Sequence, residues 1–199
     1  MIKVIDYYFT PVSPWAYLGH ERFRLMAERA GAVVQPRPVD FGRIFPASGG
    51  LPLKQRSAQR QAYRFMELKR WRAHLDLPLN LEPRHFPVDS TAACLVLVAS
   101  LAHGFEATMR LGGAMLRGCW AEEKDLSDPE TLVALAAGAG LDGRALLEAS
   151  RTQATGATYA EFTREAIERK VFGAPTFVYA QELFWGQDRL DFLQRALAA

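Results

Sequence analysis

Two short stretches carry residue types that could do chemistry. They are Ser13-Pro14, inside IDYYFTPVSPWAYLG, and Ala174-Pro175, inside ERKVFGAPTFVY. Ser-Pro falls where a strand-like run gives way to a helical one. Serine is a favoured helix N-cap because its hydroxyl accepts from a free first-turn N–H, and proline fits the first helical position. The same geometry can hold an anion, since unpaired N–H groups and the helix dipole both favour negative charge there. A thiolate bound at that spot would have a lowered pKa. Ala174-Pro175 also reads in two ways. It is a trans proline opening an edge strand, or a cis proline that presents the Ala174 backbone to an extended peptide ligand.

Other candidates carry less. His20, His74, His85 and His103 lie in different segments without metal-ligand spacing, so no metal site is expected. Cys94 and Cys119 each sit in an apolar helical pattern without a CxxC spacing and read as buried free thiols of a reducing compartment. The basic residues Lys54, Arg56, Arg60, Arg64, Lys69, Arg70 and Arg72 read as a solvated helix face; the alternative is a funnel for an anionic ligand.

Around these residues, periodicity defines the elements that must position them. Residues 2–9 form a buried strand, 14–30 a helix and 32–39 a second, proline-bearing strand suited to an edge. That is a βαβ unit with a parallel pair. Residues 41–53 read as a Gly- and Pro-bearing loop. A helical block follows, with helices expected at 56–75, 89–103, 106–120, 129–139, 143–151 and 155–169, the second capped by Asp89-Ser90. Strand signal returns at 175–179 and 182–185, and Gly186 opens a last helix over 188–197. The order is βαβ, helices, ββα: two halves of one α/β sheet split by a helical insertion.

Composition bounds the rest. The 199 residues are 49% apolar, enough for a full core without disulfides or a structural metal. The 24 basic and 22 acidic residues are interspersed, which argues against a nucleic-acid footprint. The longest apolar run, 91–102, is too short to span a bilayer of about 30 Å. MIKVIDYYFTPV does not read as a signal peptide, so the expectation is a cytoplasmic protein.

The chain resembles the 2-hydroxychromene-2-carboxylate isomerases and the related kappa-class glutathione transferases over essentially its whole length. The resemblance rests on YYFTPVSPWAYLG, on PVDFGRIFPASGG followed by YRFMELKRWRAHLDLPL, and most specifically on AIERKVFGAPTF with FWGQDRLDFL. It implies a thioredoxin-like mixed sheet, distantly similar to bacterial disulfide oxidoreductases of the DsbA type. On that reading, residues 1–45 and 165–199 form a discontinuous thioredoxin-like domain and residues 46–164 the helical insertion. It also implies glutathione as cofactor. Ser13 would face its sulfur, and the Ala174 backbone, before Pro175, would pair with its cysteinyl part. Gln187 and Asp188 would receive the γ-glutamyl end, and Arg60 would approach the glycyl carboxylate. A homodimer is a further implication.

Two positions depart from the family pattern. Many members carry Asn after Gly in the loop following the second strand, where this chain has Gly49-Gly50, so one glutathione contact is missing or replaced. Arg60 stands where much of the family has Lys, and arginine can still pair with a carboxylate. Ser13-Pro14-Trp15-Ala16 has no sulfur at either end, so thiol–disulfide exchange by this motif is excluded. In the isomerases the glutathione thiolate adds to an unsaturated chromene carboxylate and leaves again after ring opening and bond rotation. Trp15, Tyr17, Phe41, Trp71, Phe86 and Trp185 are candidate walls for such a substrate, or simply core. The leading expectation is an isomerase of a small aromatic carboxylate, acting without nucleic acid or membrane. A kappa-type transferase and a catalytically inert thioredoxin-like binding module are the alternatives.

Overall fold

The computed structural model describes residues 2–198. Strand β1 (Lys3–Phe9) leads through helix α1 (Pro14–Arg29) to β2 (Ala32–Pro38), and β3 (Thr176–Tyr179) and β4 (Glu182–Trp185) return as a hairpin. The sheet order is β2-β1-β3-β4, with β1 and β2 parallel and the other two pairings antiparallel. Pro36 and Pro38 therefore lie on an edge strand, where a missing N–H is tolerated. The hairpin turns at Ala180 and Gln181, both at positive φ. The α/β, thioredoxin-like mixed sheet expected from the βαβ and ββα halves is present.

Because β1 is central and covered on both sides, its residues do not alternate apolar and polar. Ile5, Tyr7 and Phe9 point to one face, where Tyr7 stacks on Phe9 at 4.4 Å and on Phe177 at 5.3 Å between ring centroids, against Phe23 of α1. Tyr8 points to the other, into a second cluster with Val39, Cys94, Val98, Phe162 and Val178. Truncating a fully buried aromatic such as Phe23 to alanine would cost about 3–5 kcal/mol.

The intervening chain is helical. It comprises α2 (Phe41–Ser48), α3 (Ala58–Leu75), α4 (Thr91–Ser100), α5 (Phe105–Trp120), α6 (Pro129–Gly138), α7 (Gly143–Ser150) and α8 (Gln153–Glu168). The last helix, α9 (Leu190–Ala198), buries Leu190, Leu193 and Leu197 on the α1 side of the sheet. The 77–80 segment is fastened between α1 and α5. Tyr17 donates its hydroxyl to the Pro78 carbonyl at 2.6 Å, and the Asn80 N–H reaches the Trp120 carbonyl at 2.7 Å.

Two local expectations change, and the Asp89-Ser90 cap is present with its parts divided. Residues 41–48 are a helix rather than part of a loop, because Asp40 caps it by accepting from the Gly42 N–H at 2.7 Å and because Phe41 and Ile44 find a buried face. Pro46 inside it is tolerated in a helix of only 8 residues. At α4, Ser90 holds the cap position without a side-chain bond, and Asp89 accepts from the Thr91 N–H at 3.0 Å instead. The basic face of α3 is not uniformly solvated: Arg64 is buried.

The AIERKVFG stretch has a structural task. Asp6 on β1, only 9% exposed, accepts from Arg37 Nε at 3.2 Å and from Arg169 Nη1 at 2.9 Å, and Glu165 pairs with Arg169 at 3.2 Å. This ion cluster ties α8 to β1 and β2 just before the chain enters the Ala174-Pro175 turn. No helix among the described residues is long and apolar enough to cross a membrane.

Candidate active site

Ser13 is the N-cap of α1, with extended backbone, and its Oγ accepts from the Ala16 N–H at 3.2 Å. Its hydroxyl proton points to the Ala174 carbonyl at 3.5 Å. The turn before it is set by the Ser13 N–H bonding to the Thr10 carbonyl at 3.0 Å. Pro14 has no N–H, and the Tyr17 N–H goes back to the Ser13 carbonyl. Among the described residues that leaves the Trp15 N–H as the first-turn donor without an acceptor. Ser13 is thus a working cap whose hydroxyl also faces the second stretch.

That stretch has a cis Ala174-Pro175 peptide. Ala174 is half-buried and Pro175 buried. The Pro175 carbonyl accepts from the Gly186 N–H at 2.9 Å, which brings the start of the last helical segment to the same end of the sheet. Gly173 is required by close approach: a Cβ there would collide with the indole of Trp185. Trp185 and Phe172 are both partly exposed and packed together, with ring centroids 4.7 Å apart, at the rim of this turn.

The other expected ligand residues are distributed unevenly. Gln187 is buried against α1, where a Cβ on Gly19 would meet its own Cβ at 2.6 Å. Its amide oxygen accepts from Arg22 Nη1 at 2.6 Å, which leaves the amide N–H₂ as the free donor. Asp188 is exposed and pairs with Arg189 at 2.7 Å. Arg60 is exposed on the first turn of α3, with its backbone N–H capped by Ser57. Gly49 ends α2 in the left-handed region at φ 73°, so the Gly49-Gly50 departure falls on a helix C-cap.

Among the described residues the site has no accessible protein thiol. Burial pushes the thiols of Cys94 and Cys119 up to about 12, and both are free and inaccessible. His20 is fully buried, and burial pulls it down to about 4. Its ring lies between the Tyr7 hydroxyl at 3.3 Å and the Met109 carbonyl at 2.9 Å. It is a neutral core residue. Sequence reasoning missed Arg22, whose role as the partner of Gln187 joins positions 165 residues apart. A groove of about 560 Å³ between α1 and α9 shares Arg22 with the site, and one of about 300 Å³ beside α2 shares Phe172; Ser13 lines neither.

Comparison with known proteins defines the class. Residues 4–198 match the family model described as a DSBA-like thioredoxin domain. A 2-hydroxychromene-2-carboxylate isomerase of Sphingobium xenophagum is 32% identical over 198 residues, covering 99% of each chain. A solved 2-hydroxychromene-2-carboxylate isomerase superposes with a TM-score of 0.81 at 26% identity, covering 98% of this chain and 94% of that one. Glutathione S-transferase kappa 1 of Homo sapiens is 24% identical, over 98% of this chain and 91% of its own length. Within the DSBA-like thioredoxin proteins, the chain belongs to the 2-hydroxychromene-2-carboxylate isomerase family.

Proposed function

We propose that the protein is a glutathione-dependent isomerase of 2-hydroxychromene-2-carboxylate or a similar aromatic unsaturated carboxylate. The observation that carries this reading is the Ser13 hydroxyl. It sits at a helix N-terminus opposite the Ala174 carbonyl, and both thiols of the protein are buried. Whole-length similarity to proteins named as such isomerases supports the substrate class.

The residues fit glutathione. An O–H···O contact of 3.5 Å is well beyond the usual 2.7–2.8 Å, so the Ser13 proton is only loosely held and is free to turn toward a sulfur anion. Trp15 adds its unpaired N–H and the dipole of α1. The Ala174 carbonyl is an acceptor for a cysteinyl N–H. The Gln187 amide N–H₂ is a donor for the γ-glutamyl carboxylate, held in orientation by Arg22, and Asp188 suits the α-ammonium. Arg60 is the candidate for the glycyl carboxylate.

When bound, glutathione supplies a thiolate that can add to an unsaturated carbon and leave again. The protein's task is to keep that sulfur ionised. A helix terminus contributes about 0.3–1 kcal/mol to a charge, and one pKa unit corresponds to about 1.4 kcal/mol. The dipole alone therefore lowers a thiol pKa by about one unit or less, and the Ser13 hydroxyl adds a hydrogen bond to the anion. Ser13 acts as a donor rather than a base, because His20 is turned into the core and bonded at both ring nitrogens.

Similarity to the human kappa enzyme favours a second reading, a transferase that leaves glutathione on its product. The proposal also includes a cytoplasmic homodimer and a helical insertion at 46–164 within a thioredoxin-like domain of 1–45 and 165–199. The test is calorimetric titration of glutathione into wild type and Ser13→Ala, with thiolate ultraviolet absorbance followed against pH. Glutathione binding with Ser13-dependent ionisation supports the site; no binding overturns it. A turnover assay then separates the two enzymes, since free glutathione is unchanged by an isomerase and consumed by a transferase.

A further inference from the structure

Among the described residues, three buried side-chain polar atoms have no hydrogen-bond partner: the Tyr8 hydroxyl, Arg64 Nη2 and Trp120 Nε1. The last two share one location. The Arg64 guanidinium carbon lies 5.6 Å from the Trp120 ring and 5.5 Å from the Phe86 ring, and those two rings are 4.7 Å apart. Arg64 is only 8% exposed and Trp120 is fully buried. Among the described residues no carboxylate lies within ion-pair distance of Arg64. A buried guanidinium without a counter-ion and a buried indole N–H without an acceptor are each unfavourable. Their juxtaposition in an aromatic box is a donor pair in search of one anion.

We infer that Arg64 and Trp120 form a carboxylate subsite, with Arg64 Nη2 and Trp120 Nε1 donating to the oxygens of an aromatic or peptide carboxylate that lies against Phe86. A carboxylate offers two acceptor oxygens, one for each donor, at the usual donor–acceptor distance of about 2.9 Å. Arginine and an aromatic face together suit a planar, conjugated acid. Burial also pulls the guanidinium down to about 10, with Arg56 nearby adding like charge, so a bound anion would relieve both. Phe86 is half-buried and Phe65, whose ring lies 5.7 Å from the Arg64 guanidinium carbon, is exposed, so these two rings form the sides of the box toward solvent.

The box is linked to the Ser13 turn through the chain that leads into α4. Phe86 is four residues from Ser90, a span of at most about 14 Å. Ser90 Oγ accepts from Thr10 at 3.2 Å, and the Thr10 carbonyl accepts from the Ser13 N–H at 3.0 Å. The inference rests on the proposed function for the origin of the carboxylate. It could be that of the substrate or the glycyl end of glutathione; the chemistry recognised is the same.

The test uses trans-cinnamate as probe, cinnamamide as its neutral control, and the indole N–H resonance of Trp120, assigned with Trp120→Phe. Cinnamate should shift that resonance in wild type, and cinnamamide should bind about ten- to a hundredfold more weakly, the range of a hydrogen bond to a charge. Arg64→Met should abolish the discrimination, while Arg64→Lys keeps part of it. Glutathione and its glycyl ethyl ester are titrated in parallel. If Arg64→Met spares glutathione but loses cinnamate, the site holds the substrate carboxylate. If it loses glutathione, and wild type disfavours the ester, it holds the glycyl end. Equal affinity for cinnamate and cinnamamide in wild type, with glutathione and ester also equal, overturns the subsite, and needs no variant to fold. Cinnamate binding without any glutathione binding would leave the subsite standing and remove the glutathione reading.

Discussion

The hydroxyl of Ser13 and the carbonyl of Ala174 face each other across 3.5 Å, joining residues 161 positions apart at the end of the sheet where α1 begins. One side chain thus caps a helix and reaches toward the backbone of the cis-proline turn.

Removing that hydroxyl should separate the two roles. Ser13→Ala is expected to raise the pKa of bound glutathione by about one unit, read from thiolate absorbance against pH, with its dissociation constant changed less than threefold at a pH where the bound thiol too is neutral. The lost cap should lower stability by about 1 kcal/mol. Unchanged thiol ionisation would mean that Ser13 is a cap alone.

Gly173→Ala tests the rim. The added methyl must displace the Trp185 indole, and with it the Phe172 stack. Tryptophan emission should shift to the red, and glutathione affinity should fall several-fold. If the crystal structure of the variant keeps Trp185 in place, the close approach is not a constraint.

Arg22→Ala should weaken glutathione binding about five- to tenfold without altering the thiol pKa, because it frees the amide of Gln187 to rotate away from its donating orientation. Gln187→Glu, which puts a negative charge where a carboxylate is to be received, should abolish binding. Calorimetry on both variants distinguishes positioning from direct contact.

His20 makes stability depend on pH. Its ring is near 6.5 in the unfolded chain but is held down to about 4 by burial in the fold. Above pH 6.5 the contribution is fully present. As pH falls from 6.5 toward 4, the unfolded chain takes up a proton that the folded chain refuses, and about 3 kcal/mol is lost. Urea midpoints measured across that window should slope downward toward acid in wild type and flatten in His20→Gln.

Asp6→Asn should cost about 2 kcal/mol by leaving Arg37 and Arg169 without their shared carboxylate. The urea midpoint should fall with little change in slope, and added salt should destabilise wild type more than the variant.

Much of this was readable from residue order. The βαβ and ββα halves, the edge position of the proline-bearing strand and the facing of Ser13 and Ala174 follow from β-rich runs, Ser-Pro and the loop proline. Helix α2 was not readable, because FGRIFPASGG contains the local marks of a loop and its helical state depends on Phe41 and Ile44 finding a buried face. Arg64 was hidden for a similar reason. In a stretch with a basic residue at nearly every turn, no local signal says which one turns inward. The Arg22–Gln187 bond spans the whole chain, so spacing could not suggest it.

Cys94 and Cys119 are sealed in the interior and hard to ionise, so the protein offers solvent no thiol of its own. A single cysteine introduced by Ser13→Cys would therefore be the one sulfur open to disulfide exchange. The molecule comes ready-made for covalent trapping: a mixed disulfide with glutathione at position 13 would freeze the tripeptide in place for structure determination, without any background substitution.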